Sequence, residues 1–112
     1  MIIKKGKRIF KRKAQKLSYL GKFRGLMFRS RNTQNLFFEF TTPKQRAIHS
    51  YFVFFPFLAL WLDESNHVID YHIVKPFTAL VKPKKPAKSL LELPLNKKNK
   101  RIIDFFVDRG KI

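Results

Sequence analysis

Residues 57–74, FLALWLDESNHVIDYHIV, carry the clearest structural pattern of this 112-residue chain. The segment Phe57 to Leu62 is apolar at odd and even positions alike, which is typical of a strand covered on both faces. A polar turn, Asp63 to Asn66, separates it from His67 to Val74, where apolar and polar residues alternate as in a half-buried strand. We therefore predict two consecutive β-strands joined by a short turn.

Strand patterns continue on both sides of this pair. The further predicted strands are Leu36–Thr41, Ser50–Phe55, Lys88–Leu93 and Ile102–Val107. A lysine-rich connector containing Pro76, Pro83 and Pro86 predicts a loop between residues 75 and 87, because proline removes a backbone donor and fixes its own backbone. About six strands at such spacing indicate a mainly β domain, a small antiparallel sandwich or barrel.

One helix is predicted near the N-terminus, within residues 14–28. The spacing places four apolar residues on one helical face: Leu17, Leu20, Phe23 and Met27. Gly21 and Gly25 each cost such a helix about 1 kcal/mol relative to alanine. We therefore predict a short or interrupted helix here. Residues 1–13 precede it as a basic extension or an edge strand, and residues 14–112 form the single β-rich domain.

Composition limits the possible functions. Apolar residues make up 45% of the chain, enough for a folded core, and cysteine is absent, which excludes disulfides and thiolate chemistry. The longest apolar run, residues 51–62, contains Pro56 and is shorter than the roughly 20 residues that a spanning helix needs. No secretory signal pattern is present. We expect a cytoplasmic protein without membrane attachment.

The positive charge is concentrated at the N-terminus. The formal net charge is +18, and 12 of the 25 Lys and Arg residues lie in the first 31 positions, where there is no Asp or Glu. Self-repulsion of this size destabilises a compact state unless a partner supplies negative charge. Nucleic-acid phosphates are the partner that fits best.

Several ordered elements together resemble a known family, the domain of unknown function 192. They are Arg24-Gly25-Leu26-Met27-Phe28-Arg29, Phe37 to Phe40, Ile48-His49-Ser50 with Phe52 to Pro56, Leu60 to Asp63, Val68-Ile69, Lys75-Pro76 and Leu91 to Pro94. The resemblance implies a small jelly-roll-like β-domain with a short helix at the Gly-Leu-Met element, and no settled activity. The chain is similar to an archaeal-type, basic variant. Asn96 stands beside Lys97 and Lys98 where members usually have glycine.

We predict that the basic clusters contact RNA phosphates, with lysines as mobile charges and arginines as bidentate forks. The predicted RNA-binding residues are Lys4, Lys5, Lys7, Arg8, Lys11, Arg12, Lys13, Lys16, Lys22, Arg24, Arg29, Arg31, Lys97, Lys98, Lys100 and Arg101. Phe10 and Tyr19 are the candidates for stacking on unpaired bases, since their surroundings are the most basic. The alternative for the clusters is a solvated face.

Catalysis and cofactors are not expected. His49, His67 and His72 are scattered, and no phosphate loop, nucleophile elbow or plausible acid pair occurs among seven carboxylates. Asp70 and His72 are predicted to form an outward polar face opposite Ile69, Tyr71 and Ile73. We expect no metal, no cofactor and no small-molecule substrate.

The sequence therefore favours a structural RNA-binding protein, an accessory ribosomal protein whose partners are rRNA and neighbouring ribosomal proteins. Two alternatives remain open: a free-standing β-domain that binds a small ligand or protein, and a DNA-binding chromatin protein. In the first alternative, the lysines would serve solubility or a thermophilic lifestyle. Surface lysines of thermophilic proteins usually form ion-pair networks with glutamates, and this chain has only three glutamates, which counts against that alternative.

Overall fold

The computed structural model describes residues 1–17, 26, 29–44 and 47–110. It is mainly β, as the sequence predicts. The elements are β1 (Ile2–Lys5), β2 (Arg8–Lys11), β3 (Gln15–Leu17), β4 (Leu36–Lys44), β5 (Phe57–Leu62), β6 (Val68–Val74), β7 (Ala87–Pro94) and helix α1 (Lys100–Gly110), with a short 3-10 turn at Lys97–Asn99 before α1.

Five strands form one sheet in the order β3-β4-β7-β5-β6, and β1 and β2 form a separate hairpin. All neighbours in the larger sheet are antiparallel except β3 and β4, which are parallel. Phe57 pairs with Val74 on one side and with Pro94 on the other. The start of β5 and the ends of β6 and β7 therefore lie at the same end of the sheet.

Each face of the sheet carries its own apolar cluster. On one face, Leu58, Leu60 and Leu91 pack with Ile102 and Phe106 of α1. On the other, Phe38, Phe57, Trp61 and Leu90 pack with Val53, Phe55 and Leu26 from loops outside the sheet. Interior strand β5 is buried at every position, which explains why its sequence is apolar at both parities.

The only helix among the described residues is C-terminal, so the prediction of a single N-terminal helix is wrong in its placement. Ile102, Ile103 and Phe106 are buried, and their spacing places them on one helical face that packs on the sheet. The predicted strand Ile102–Val107 is therefore helical. Within the predicted helix at residues 14–28, Gln15–Leu17 is a strand paired with β4, and most of the remainder lies outside the described residues.

The predicted strand Ser50–Phe55 is also wrong. These residues form a loop in which Val53 and Phe55 are buried while Phe52 and Phe54 are exposed. Alternating burial of this kind resembles a strand in sequence. The loop is held by hydrogen bonds to a second loop at residues 75–81 rather than to a neighbouring strand.

The N-terminal extension is a hairpin that packs on the domain. Ile3 is fully buried and Phe10 is 6% exposed, and the Phe10 ring centroid lies 5.2 Å from that of Phe105 in α1. Lys4 also donates a backbone hydrogen bond to Asn66 in the β5–β6 turn. Ile3 and Phe10 of the hairpin therefore belong to the apolar cluster formed around α1.

Two carboxylates occupy buried positions on the sheet face away from α1. Glu92 lies on β7 between Leu36 of β4 and Ala59 of β5, and burial raises the pKa of its carboxyl to about 8. Asp70 is 8% exposed and accepts backbone hydrogen bonds from Tyr71 at 2.8 Å and Lys84 at 2.9 Å. The prediction that Asp70 faces outward is therefore wrong.

Candidate nucleic-acid interface

A cleft of about 1060 Å³ lies at the end of the sheet where β4 begins and β7 ends. Three chain segments that are distant in sequence form its walls: residues 11–15 from the end of β2 to the start of β3, residues 33–35 before β4, and residues 96–99 between β7 and α1. We call it the basic cleft, because the charged residues lining it are Lys11, Arg12, Lys13 and Lys98. No Asp or Glu is among its described lining residues.

Buried Asn99 holds the three walls together. Its side chain is 1% exposed, and its Nδ2 donates to Asn35 Oδ1 and to the Pro94 carbonyl, each at 2.8 Å. Its Oδ1 accepts from Arg12 Nη2 at 3.1 Å. Asn35 Nδ2 in turn donates to the Lys13 carbonyl at 2.8 Å. This network fixes the backbone and guanidinium positions on which the cleft depends.

The turn that carries Asn99 begins at a polar cap. Asn96 Oδ1 accepts from the Asn99 backbone N–H at 3.2 Å, the side-chain capping that asparagine favours at helix starts. Asn96 Nδ2 donates to the Arg31 carbonyl at 2.9 Å. Asn96 therefore joins the turn before α1 to the loop that carries Arg31.

Arg12 presents an unused donor beside the cleft. Its Nη2 binds Asn99, whereas its Nε is buried and has no hydrogen-bond partner among the described residues. A buried donor without a partner is costly, on the order of 1–3 kcal/mol. Because the Nε atom is buried, a phosphate would contact the Arg12 guanidinium through its other nitrogens, as arginine forks do in phosphate recognition.

A smaller cavity of about 300 Å³ adjoins the basic cleft, with which it shares Lys11 and Arg12. It lies between the hairpin and α1 and is also lined by Arg8 and Arg101. Arg8 stacks on two rings, with its Cζ 5.2 Å from the Phe10 centroid and 5.0 Å from the Phe105 centroid. The N-terminal and C-terminal basic clusters thus meet on one surface.

The structure divides the predicted RNA-binding residues into groups. Six line the two cavities: Arg8, Lys11, Arg12, Lys13, Lys98 and Arg101. Lys4, Lys5 and Lys7 lie on the hairpin, Lys97 precedes Lys98 in the 3-10 turn, and Arg29 and Arg31 lie in the loop before β4, where Arg29 Nη1 donates to Thr33 Oγ1. Lys22, Arg24 and Tyr19 lie outside the described residues.

Two predicted cations are engaged within the chain. Lys16 Nζ lies 2.9 Å from Glu39 Oε1, and Lys100 Nζ lies 2.6 Å from Asp104 Oδ2. The hydrogen bond and charge of Lys16 lower the pKa of Glu39. Both pairs are exposed, so they hold their lysines only weakly.

Phe10 is not available for base stacking. It is buried in the cluster around α1, with Phe105 and Arg8 against its ring. That prediction is therefore corrected: the position is apolar because the hairpin packs on the domain through it.

Asn35, Asn96 and Asn99 are the residues of the candidate site that the sequence did not predict. A signal for Asn96 was present, since asparagine before a polar segment and an apolar run is an N-cap pattern. No sequence signal links Asn35 to Asn99, which are 64 positions apart. No group of three or more metal-ligating side chains is found among the described residues, and no described helix is long and apolar enough to cross a membrane.

Comparison with known proteins identifies relatives of the domain. The model of the DUF192 family, described as an uncharacterized group, matches residues 14–104. A UPF0127 protein of Thermococcus kodakarensis is 32% identical over 80 residues, which cover 70% of this chain and 50% of that protein. The chain thus spans about half the length of the curated relative that it matches.

Two solved structures share the fold. A protein of unknown function from Novosphingobium aromaticivorans superposes with a TM-score of 0.71 at 15% identity, covering 89% of this chain and 74% of that one. A putative transcription regulator from Sinorhizobium meliloti gives 0.73 at 18% identity, covering 90% and 81%. Likeness at such low identity concerns the fold alone.

Proposed function

The chain belongs to the DUF192 family, and from the basic surface that it builds on and beside the family domain we propose that it is a structural RNA-binding protein. The family match begins at residue 14, and the hairpin that precedes it supplies Arg8, Lys11 and Arg12 to the two cavities. The hairpin therefore adds positive charge to the family domain rather than forming a separate unit.

The observation that carries the proposal is the meeting of two clusters 87 positions apart, at the hydrogen bond from Arg12 to Asn99. Cations gathered on one side of a small protein make a continuous attractive field for a phosphate backbone. If the basic clusters were only a solvated face, no buried hydrogen-bond network would be needed to bring them together.

Within that class, we propose an accessory ribosomal protein in the cytoplasm, with rRNA and neighbouring ribosomal proteins as its partners. The formal charge of +18 in 112 residues suits a surface buried against folded RNA, which is recognised largely by shape, backbone and unpaired elements. The proposal assigns no catalysis and no cofactor to the chain. A chromatin protein would use the same charge on duplex DNA.

The test is co-sedimentation of the native protein with ribosomal particles through a cushion of moderately high salt. We expect recovery with a particle, and release by competing rRNA fragments at lower concentration than by duplex DNA. Recovery in the free fraction alone would overturn the ribosomal assignment. Equal release by DNA would favour the chromatin alternative.

A further inference from the structure

Three exposed phenylalanines form an aromatic cluster outside the basic cleft. Phe52, Phe54 and Phe77 are 48%, 59% and 50% exposed. The Phe77 centroid lies 6.1 Å from that of Phe52 and 5.5 Å from that of Phe54, and both pairs are edge-to-face. The Phe54 and Phe77 side chains are at least half exposed and are not stacked in parallel, so they offer ring surface to a flat partner. We call Phe52, Phe54 and Phe77 the aromatic triad.

The backbone holds two of these rings in an unfavourable conformation. Phe52 has φ of 61° and Phe77 has φ of 58°, a left-handed region that bulky residues rarely adopt. Such outliers persist only where the surrounding structure enforces them, and they cluster at functional sites. Burial does not explain them here, since both side chains are about half exposed.

Buried Ser50 enforces this arrangement by clamping the two loops together. Its backbone N–H donates to the Thr78 carbonyl at 2.9 Å, and its carbonyl accepts from the Phe77 N–H at 2.9 Å. Its Oγ donates to the Lys75 carbonyl and accepts from the Thr78 N–H. The Ile48–Val81 bridge extends the contact. The triad is therefore presented on a rigid support.

The triad and the basic cleft lie at the same end of the sheet. The loop carrying Phe52 and Phe54 runs into β5, and Phe77 follows the end of β6. Leu95, next to Asn96 of the cleft, donates a backbone hydrogen bond to Pro56 at 3.1 Å. In the order β4-β7-β5-β6, β4 and β6 are three spacings of about 4.8 Å apart, roughly 14 Å. This lateral separation within the sheet is one that a single nucleic-acid strand can span.

We propose that the aromatic triad is a stacking platform for unpaired RNA bases, whose phosphates continue into the basic cleft. The inference rests on the proposed RNA-binding function and specifies its ligand as a single-stranded element. The charge around the triad favours RNA as the ligand. Residues 47–56 and 75–82 contain no Asp or Glu, and Lys75, two positions before Phe77, is exposed. Aromatic faces beside cations are how proteins bind single strands with little sequence preference.

The test compares binding of a dye-labelled oligouridine of about 12 nucleotides with binding of an RNA duplex of equal length, by fluorescence anisotropy. The F54L/F77L variant keeps the apolar character but removes two rings. We expect it to bind oligouridine about 25-fold or more weakly, since each stacked base contributes about fivefold or more. Duplex binding and the salt dependence stay unchanged, because no charge is removed.

Matched variants separate stacking from simple loss of apolar surface. F54Y/F77Y keeps both rings and should bind oligouridine within about twofold of the wild type. L80S removes an exposed apolar side chain from the same loop, 68% exposed, and should have no effect. Wild-type affinity in F54L/F77L would overturn the stacking platform.

Failure of this inference can be distinguished from failure of the proposed function. If oligouridine binding is lost in the cleft variant K11Q/K13Q/K98Q but kept in F54L/F77L, RNA binding stands and the platform is wrong. If the wild type binds neither RNA, the proposed function fails as well. If F54S/F77S leaves RNA binding intact but abolishes flotation with phosphatidylserine vesicles, the triad is a membrane contact and the platform is overturned.

Discussion

Two buried polar side chains, Asn99 at the basic cleft and Glu92 on central strand β7, are accommodated in opposite ways. At the cleft, both polar atoms of the Asn99 side chain have partners. On β7, two residues before Pro94, Glu92 is 6% exposed, and burial raises the pKa of its carboxyl to about 8. The paired Asn99 side chain fixes the walls of the cleft, whereas Glu92 depends on a proton to avoid a buried charge.

The largest effect is expected from Asn99→Asp, which is nearly isosteric. It replaces a donor of two hydrogen bonds with an oxygen that faces the Asn35 Oδ1 and the Pro94 carbonyl. We expect the free energy of unfolding to fall by about 3 kcal/mol or more, since each unsatisfied buried group costs about 1–3 kcal/mol. Urea unfolding measures it. Lys98→Ala, at an exposed neighbour, is the control, and an equal loss there would contradict the role of the network.

Glu92→Gln tests the other side of the comparison through pH. The folded-state pKa is raised from 4.5 to about 8, so the folded protein keeps a proton that the unfolded chain releases above about 4.5. Stability is therefore full at low pH and falls as pH rises from about 4.5 to 8. We expect the variant to be more stable than the wild type by roughly 3 kcal/mol at pH 7, at about 1.4 kcal/mol per pH unit above the unfolded-state pKa, and similar near pH 4.5.

Thermal or urea unfolding across that pH range measures the difference between the two curves. Glu64→Gln, which changes an exposed acid in the β5–β6 turn, serves as the control and should retain the wild-type pH dependence. Parallel curves for Glu92→Gln and the wild type would show that the Glu92 carboxyl is not held neutral in the fold.

Ser50→Ala should produce a smaller loss, because Ser50 is buried and paired but holds loops rather than the sheet. It removes the Oγ partner of the Thr78 N–H and the Lys75 carbonyl. We expect a loss of about 1–2 kcal/mol and faster amide hydrogen exchange at Phe77 and Thr78. Exchange measured residue by residue checks this, and unchanged protection would mean that the backbone bonds alone hold the loops.

Lys16→Gln should have the smallest effect. The Lys16–Glu39 pair joins two side chains that are 66% and 50% exposed, and exposed pairs contribute less than about 1 kcal/mol. We expect a change in unfolding free energy near 0.5 kcal/mol or less, decreasing further at high salt. A change above 1 kcal/mol in urea unfolding would show that edge strand β3 depends on this pair.

The fold was predictable where burial produces a sequence pattern. Phe57–Leu62 is a strand with the predicted bounds because both faces are covered. Residues 102–107 were assigned to a strand because isoleucine and phenylalanine favour strands, yet their burial follows a helical face. Residues 50–55 resembled a strand because buried and exposed residues alternate, although exposed Phe52 and Phe54 belong to a loop.

The candidate site was predictable only as separate pieces. The clusters at residues 4–13 and 97–101 are evident from charge alone, but their meeting depends on hydrogen bonds between residues 87 and 64 positions apart. Phe10 appeared to be a stacking residue because its neighbours are basic, whereas packing on α1 buries it. Sequence patterns report local periodicity, and the tertiary pairing of loops leaves no such pattern.

The most direct test of the account is the salt dependence of oligouridine binding in two variants that lose the same charge. K11Q/K13Q/K98Q removes three lysines from the basic cleft, and K84Q/K85Q/K88Q removes three near the start of β7, at the other end of the sheet. For single strands each phosphate contact contributes about 0.7 to the slope of log K against log salt. We predict that the cleft variant loses about 2 from the slope while the other changes little; equal slopes in both variants would contradict the cleft as the RNA site.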